Sequence, residues 1–156
     1  LEDYPSTESF HESDDYVDYT EDIYVGYRYF ETIPQARSKV NYSFGFGLSY
    51  TCFAWEIRSI SEKGGLVSIQ VNTGKYAGKE VVQIYLHAPQ GLLGKADKSL
   101  CAFEKTRLLQ PGETQLLSFE ISMDKQASYD DLGKIKKSAY VLEKGDYTFY
   151  VGTSVE

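Results

Sequence analysis

The residues that could carry acid–base or metal chemistry are two pairs of adjacent aspartates and two isolated histidines. In chain order they are His11, Asp14, Asp15, His87, Asp130 and Asp131. Two carboxylates held on rigid elements across one cleft can hydrolyse a glycosidic bond or bind a metal ion. Both aspartate pairs stand in polar stretches, so we interpret them as solvated surface charge. Neither histidine belongs to a recognisable triad, and structural or surface roles are favoured for both.

Two glycine-containing stretches partly match nucleotide-binding loops. Gly45-Phe46-Gly47 lacks the third glycine of a dinucleotide fingerprint, because Tyr50 stands at that position and a strand follows where a helix is needed. Residues 91–95 lack the spacing and the Ser or Thr of a phosphate-binding loop. We therefore expect no cofactor.

Cys52 and Cys101 are the only cysteines among the 156 residues. They lack the spacing of a zinc site, and the two histidines are too isolated to complete one. No metal is therefore expected at these positions. Two buried thiols are favoured over a disulfide, because free cysteine behaves as a small apolar side chain.

The elements that position these residues are predicted to be β-strands. The chain has 14 Tyr, 8 Phe and only 1 Met, and from residue 50 onward short alternating runs are separated by turn residues. This pattern is typical of an all-β, immunoglobulin-like antiparallel sandwich of about seven strands. The candidate strands cover residues 50–60, 66–72, 80–87, 100–108, 116–122, 138–142 and 145–153. Residues 124–137 are expected to form a loop with at most one helical turn.

Two of the candidate strands show clear alternation. Residues 66–72 alternate aliphatic with polar side chains, which predicts a half-buried strand. The strand at residues 116–122 follows a Pro-Gly turn pair and alternates in the same way. Its inward-facing side chains are expected to be Leu117, Phe119 and Ile121.

The acidic charge of the chain is concentrated at its N-terminus. Residues 1–22 hold 9 of the 23 acidic residues and no Lys or Arg, whereas the rest of the chain carries a net charge of +2. We expect an extended acidic arm without regular secondary structure. The absence of a basic surface disfavours both nucleic acid and a membrane as partners.

An aromatic run follows the acidic arm. Residues 23–31 read IYVGYRYFE, and Pro34 and a basic patch at Arg37 and Lys39 stand where a partner strand would be expected. Aromatic side chains in a β-rich chain mostly lie in cores and domain interfaces. We expect this run to pack on something outside the chain.

No apolar run approaches the roughly 18 residues that a spanning helix needs, and 42% of the residues are hydrophobic, as in a soluble globular chain. No signal peptide is visible, and the first residue is Leu1. We therefore expect a piece of a longer protein, whose location could be cytoplasmic or extracellular.

Five stretches in this order resemble one family. They are IYVGYRYF (23–30), NYSFGFGLSYTCF (41–53), VNTGKYAGKEVVQIYL (71–86), LCAFEKTRLLQPGE (100–113) and GDYTFYVGTS (145–154). Together they resemble the C-terminal region of glycoside hydrolase family 3, the β-glucosidase-type enzymes. Residues 50–156 are similar to the fibronectin type III-like domain of that family. Residues 1–49 combine the acidic arm with a segment similar to the exit of the preceding α/β sandwich domain, and we call residues 23–48 the exit segment.

The resemblance implies a non-catalytic role for this chain. In the family, the nucleophilic Asp lies in a (β/α)8 barrel and the acid/base residue usually lies upstream of the aromatic run, and neither motif is present here. We therefore expect no glycosidase activity from this chain alone. The resemblance implies a set of substrate-adjacent or domain-interface candidates. They are Tyr24, Tyr27, Arg28, Tyr29, Phe30, Phe44, Phe46 and Tyr50.

Three functions remain open. The first is an accessory, structural domain of a β-glucosidase-type exo-glycosidase of carbohydrate metabolism, with the catalytic domains of the parent as partners. The second is a module that binds carbohydrate or another polymer, which needs exposed coplanar aromatic rings on one face of the sandwich. The third is one chain of a nicked glycosidase. Self-association of the isolated chain is also expected, through the aromatic side chains of residues 24–30.

Overall fold

A computed structural model describes residues 2–7, 9–61 and 65–156, and eight antiparallel strands make up most of its regular structure. The strands are β1 (Phe53–Ile60), β2 (Gly65–Asn72), β3 (Val81–His87), β4 (Ser99–Lys105), β5 (Thr114–Glu120), β6 (Ser128–Asp130), β7 (Ala139–Val141) and β8 (Thr148–Gly152). Strands β1-β2-β5 form one sheet, β4-β3-β8 form a second, and β6 and β7 form a separate hairpin. The predicted all-β sandwich is confirmed.

The hairpin β6-β7 differs from the sequence prediction. Residues 124–137 were expected to form a loop with at most a helical turn, and Met123–Gln126 is indeed a single 3-10 turn. Strand β6 follows it and pairs with β7, from Ser128 opposite Val141 to Asp130 opposite Ala139. A three-residue strand is too short for its alternation to be visible in the sequence.

The core lies between the two sheets. Its buried cluster contains Leu66, Val82, Ile84, Leu117, Phe119 and Ile121. The three inward-facing side chains predicted for residues 116–122 are all in it. Phe149 and Val151 of β8 pack against the cluster from the second sheet. Alternation of apolar and polar residues therefore identified the buried face of β5 correctly.

Strand β2 buries its polar side chains rather than its valines. Ser68, Gln70 and Asn72 are completely buried, while Val67 and Val71 are only partly buried. The polar groups are tolerated because most find partners inside the sandwich. Gln70 Nε2 donates to Ser68 Oγ at 2.7 Å. Asn72 Nδ2 lies within hydrogen-bonding distance of two backbone carbonyl oxygens.

The acidic arm folds back on itself instead of being fully extended. Pro5–Thr7 forms one turn of 3-10 helix. The Ser9 hydroxyl donates to the carbonyl of Asp18 at 3.1 Å, and the Thr20 hydroxyl donates to the carbonyl of Pro5 at 3.3 Å. These two hydrogen bonds join the first part of the arm to its last part and so close it into a loop. Ser and Thr hydroxyls often form such local bonds to backbone carbonyls.

The exit segment contains one short α-helix, α1 (Tyr27–Thr32), followed by a 3-10 turn at Ala36–Lys39. The helix begins after Gly26 without a side-chain cap, so tertiary contacts must hold it in place. Among the described residues, no helix has the length and apolar character needed to cross a bilayer.

Candidate functional site

The exit segment lies on the outer face of β3, the central strand of the second sheet. Gln83 and Tyr85 alternate along β3 with the core residues Val82 and Ile84, so they point away from the first sheet. Their exposed fractions are nevertheless only 6% and 1%. Strand β3 is therefore buried on both faces, and the exit segment forms a third layer over it.

Tyr27 is the central contact of this third layer. Its ring stacks on Phe44, with 4.4 Å between ring centroids, and meets Tyr85 edge-on at 6.0 Å. Its hydroxyl accepts a hydrogen bond of 2.8 Å from the backbone N–H of Leu100 in β4. A tyrosine at the start of α1 therefore joins the helix both to the sheet and to the linker, by which we mean residues 40–52 between the 3-10 turn and β1.

Gly45 brings the linker directly onto β3. It adopts a φ of +88°, and a Cβ at this position would overlap the side chain of Gln83. Gln83 cannot move away easily, because its amide donates to the carbonyl of Thr153 at 2.7 Å and accepts from the hydroxyl of Tyr85. Burial raises the pKa of Tyr85, which keeps its hydroxyl protonated as the donor.

The last residues of the chain also hydrogen-bond to the linker. The backbone N–H of Val155 donates to the carbonyl of Phe44 at 2.9 Å. The Lys98 ammonium donates to the carbonyl of Val155 at 2.7 Å. Val155 is 2% exposed, so both bonds are shielded from water. The end of the sandwich therefore holds the exit segment through its backbone.

Charged and polar groups also connect α1 to its neighbours in the chain. The Glu31 side chain is buried, and its Oε2 lies 3.7 Å from Arg37 and 3.9 Å from Lys98. This oxygen has no hydrogen-bond donor among the described residues. One residue further along, the Thr32 hydroxyl accepts from the backbone N–H of Asp97 at 2.8 Å. A buried carboxylate is tolerated here because two cations lie close to it.

A second cluster, missed by the sequence analysis, holds the β3–β4 loop. Glu143 was not among the candidate residues, but its carboxylate is buried and pairs with the buried Lys95. Glu143 Oε1 also accepts from the backbone N–H of Leu92 at 2.6 Å. The hydrogen bond from Lys95 holds the pKa of Glu143 below its usual range against the opposing effect of burial.

Asp130 is likewise not the solvated surface charge that we predicted. Its carboxylate is 1% exposed and accepts hydrogen bonds from four consecutive backbone N–H groups, those of residues 133–136. Burial by itself would raise the pKa of Asp130, but the four amides outweigh burial and lower it. Asp130 therefore organises the β6–β7 turn, while its neighbour Asp131 is exposed.

A cavity of about 1090 Å³ lies between the exit segment, the β3–β4 loop and residues 125–134. Tyr24 and Arg28 of the exit segment line one side of it, and Lys95 and Tyr129 line others. Among the described residues, no cluster of His, Cys, Asp and Glu side chains could hold a metal ion. The cavity thus offers polar and aromatic contacts rather than metal ligands.

The structure brings together only some of the candidate residues. Tyr27 and Phe44 meet at the centre of the third layer. Tyr29 and Phe30 contact each other, and Phe30 also meets Tyr4 of the acidic arm. Phe46 is half-exposed, and Tyr50 is 97% exposed. Rings of the aromatic run therefore make contacts within this chain, and their packing on parts outside it stays a prediction.

The remaining sequence candidates have local roles. His87 Nδ1 lies 3.0 Å from the carboxylate of Asp97, so this contact connects the two ends of the β3–β4 loop.

Both cysteines are free thiols. The expectation that both are buried is wrong for Cys52, which is exposed because it lies in the coil before β1. Cys101 is partly buried, and its Sγ donates to the carbonyl of Ile84 at 3.2 Å.

Exposed aromatic rings were the requirement for a carbohydrate-binding module. The Tyr129 and Tyr140 rings of the β6–β7 hairpin are half or more exposed, but their planes are tilted by 60°. The Tyr42 and Phe46 rings stack on each other in the linker, with 5.1 Å between centroids. Neither of these two pairs forms a coplanar platform on a face of the sandwich.

The sheet order and the sandwich core define the class of this protein. Residues 80–155 match the model of the fibronectin type III-like domain family. The whole chain corresponds to a region of longer proteins, the β-glucosidases, which include an enzyme of glycoside hydrolase family 3. Its fold and its resemblance to the family were both predicted correctly from the sequence.

Two relatives and two solved structures carry this assignment. The chain is 58% identical to β-glucosidase A of Butyrivibrio fibrisolvens and 50% identical to a β-glucosidase of Ruminococcus albus, in each case over 99% of its length. A β-glucosidase structure from Paenibacillus barengoltzii matches 99% of the chain with 49% identity and a TM-score of 0.92. A family 3 β-glucosidase structure from Bifidobacterium adolescentis matches with 30% identity and a TM-score of 0.85.

The chain spans only a small part of each of these proteins. It covers 21% of the Butyrivibrio protein and 16% of the Ruminococcus protein. It covers 17% of the Paenibacillus chain and 22% of the Bifidobacterium chain.

Proposed function

We propose that this chain is a non-catalytic structural domain that fixes the orientation of the catalytic domains in a β-glucosidase-type exo-glycosidase. The parent enzyme would act in carbohydrate metabolism, and its catalytic domains would be the partners of this chain. The domain boundary that we propose lies between residues 49 and 50. Thr51, just after that boundary, already donates to Asn72 Oδ1 inside the sandwich at 2.8 Å.

The observation that carries this proposal is the attachment of the exit segment to the second sheet. Tyr27, Phe44 and Gly45 lie against β3, and the backbone of Val155 holds the linker in place. A chain leaving the preceding domain would thus reach the sandwich along a fixed path. A small change in that path would shift the preceding domain, and displacements of about 1 Å can cost about 100-fold in rate.

The test uses the full polypeptide that contains this chain. Tyr27→Ala removes the stacking on Phe44 and the acceptor for Leu100, while Phe103→Ala is the matched control, because Phe103 is 68% exposed on β4. We expect kcat/KM for an aryl β-glucoside to fall by roughly tenfold or more in Tyr27→Ala and to stay within about twofold in the control. Thermal unfolding is followed in parallel.

Equal activity in the Tyr27→Ala variant and the unaltered protein would contradict the orientation role. Hydrolysis by the purified 156-residue chain itself would contradict the non-catalytic assignment more directly. None of the aromatic contacts described above favours carbohydrate binding. Titration of cello-oligosaccharides into the same chain tests it separately. Activity that appears only when a second polypeptide is added would support a nicked enzyme instead.

A further inference from the structure

The side chain of Lys98 lies where the sandwich meets α1. The backbone N–H groups of Asp97 and Leu100 donate to hydroxyls at the two ends of α1, each at 2.8 Å. Between these two bonds, the Lys98 ammonium lies 3.9 Å from the carboxylate of Glu31 in the same helix. The two backbone bonds do not involve the Lys98 side chain, so its contribution can be tested separately from theirs.

Lys98 is the buried one of the two cations near Glu31. Its side chain is 14% exposed, whereas that of Arg37 is 55% exposed and also lies 3.8 Å from the carboxylate of Glu156. Water and salt screen an exposed charge more strongly than a buried one. Lys98 therefore contributes most to balancing the charge of the buried Glu31 carboxylate, whose side chain is 4% exposed.

The same ammonium also holds the linker, through Val155. Lys98 Nζ donates to the carbonyl of Val155 at 2.7 Å, and the N–H of Val155 donates to the carbonyl of Phe44 in the linker at 2.9 Å. Lys98 Nζ lies 5.2 Å from the centroid of the Tyr150 ring on β8, within the range of a cation–π interaction. The ammonium thus contacts a carbonyl, a carboxylate and an aromatic ring, which fixes its place.

The contacts of Lys98 close a ring between α1 and the linker. One side of the ring runs from Lys98 through Glu31 to α1, and the other runs from Lys98 through Val155 to Phe44. The stacking of Phe44 on Tyr27, the first residue of α1, joins the two sides. Because the ring is closed, α1 cannot turn relative to the linker without breaking one of these contacts.

We propose that Lys98 is a positioning residue for the glycosidase reaction of the longer polypeptide. Its ammonium fixes the angle between α1 and the linker, and thereby the direction in which the chain enters the sandwich from the preceding domain. Lys98 acts through Glu31 and Val155 rather than on the substrate. This inference rests on the proposed orientation role, and it assigns part of that role to a charged side chain of the sandwich itself.

Kinetics of the full polypeptide test Lys98 against a matched control. Lys98→Met removes the ammonium but keeps a side chain of similar length, and Lys105→Met makes the same change at an exposed position at the far end of β4. With both variants fully folded at the assay temperature, we expect kcat for an aryl β-glucoside to fall at least about fivefold in Lys98→Met, with KM within about twofold. Lys105→Met should change neither value by more than about twofold.

A double variant separates positioning from charge balance. Lys98→Met alone leaves the Glu31 carboxylate without its buried cation, so the Tm should fall. Glu31→Gln/Lys98→Met also removes the unbalanced charge, and we expect at least about half of the lost Tm to return while kcat stays low. If kcat recovered together with the Tm, Lys98 would only balance the charge of Glu31, and the positioning role would be overturned.

The Tm of the double variant also tests the ring itself. A value no higher than that of Lys98→Met would contradict the pairing of Lys98 with Glu31 and overturn the closed ring.

Comparison with Tyr27→Ala separates this inference from the proposed function. A low kcat in both Tyr27→Ala and Lys98→Met would support both. A low kcat in Tyr27→Ala with an unchanged kcat in Lys98→Met would overturn the role of Lys98 and leave the orientation role standing. An unchanged kcat in both variants would overturn both.

Discussion

Asp130 shows how one buried carboxylate can organise a turn. Asp130→Asn keeps one acceptor oxygen but turns an amide donor toward backbone N–H groups, so we expect the Tm to fall by roughly 5 °C or more at pH 7. Asp131→Asn, at the exposed neighbouring position, should change the Tm by no more than about 1 °C. Equal effects of the two substitutions would contradict the role of Asp130.

The pH dependence of the same pair follows from the lowered pKa of Asp130. A carboxyl whose pKa is lower in the folded protein adds stability above its unfolded pKa of about 4 and loses it as the pH falls through the folded pKa. The difference in Tm between the unaltered protein and Asp130→Asn should be constant from about pH 7 to pH 5 and shrink below about pH 4. Thermal unfolding across this range checks the trend.

The two cysteines should differ in reactivity. Burial raises the pKa of the Cys101 thiol to about 11, so roughly one part in a thousand is thiolate at pH 8. Cys52 is exposed. We expect iodoacetamide to label one cysteine per folded chain at pH 8 and both after denaturation, with mass spectrometry locating the first label at Cys52. Fast labelling of Cys101 in the folded chain would contradict this environment.

At the scale of an element, the packing of the linker on β3 requires glycine at position 45 but not at position 47. The sequence analysis considered Gly45 and Gly47 together, but only Gly45 combines a positive φ with close packing on Gln83. Gly45→Ala should destabilise the protein by about 2 kcal/mol, because an L-residue is strained at this φ and its Cβ would displace Gln83. Urea unfolding measures the loss.

Gly47→Ala is the matched control for that substitution. A Cβ at Gly47 would have no atom within 4 Å, so its effect should stay within about 0.5 kcal/mol. If the two alanine variants were equally stable, the contact between the linker and β3 would not hold in solution.

The sequence predicted those elements in which polarity and burial agree. Leu117 and Phe119 alternate with polar residues and are buried as expected. Gln70 breaks this rule because its amide bonds to Ser68 inside the sandwich, and composition alone gives no sign of such a partner. Helix α1 was not predicted, because Tyr and Phe have modest helix propensity and the helix is held by contacts from elsewhere.

At the site, sequence reasoning identified the aromatic residues but not their partners. Tyr27 and Phe44 were both candidates, and the structure stacks them. The buried pair of Lys95 and Glu143 was missed, since 48 residues separate the two side chains in the chain and only the fold brings them together. Long-range polar pairs of this kind leave no local pattern in a single sequence.

At the scale of the whole molecule, the protein consists of three layers. The two sheets enclose the core, and the exit segment lies on the outer face of β3, the central strand of the second sheet. The sequence analysis expected aromatic side chains of this third layer to be exposed in the isolated chain. Tyr27 and Phe30 are both partly buried within this chain.

This arrangement changes which residues should drive self-association of the isolated chain. The sequence analysis attributed it to the aromatic side chains of residues 24–30, but the two most exposed large apolar side chains among the described residues lie in the linker, where Leu48 is 92% and Tyr50 is 97% exposed. Exposed apolar patches favour association because contact removes them from water. We therefore expect the double variant Leu48→Lys/Tyr50→Lys to reduce self-association strongly, as measured by sedimentation velocity over a range of concentrations.

Phe103→Lys is the control for this last prediction, because Phe103 is a comparably exposed aromatic residue on β4, outside the linker. It should leave the concentration dependence of sedimentation unchanged. If Phe103→Lys dispersed the chain and the linker variant did not, association would occur through the sandwich. If the unaltered chain sedimented as a monomer at every concentration, the linker surface would be too small or too polar to associate by itself, and self-association would be ruled out.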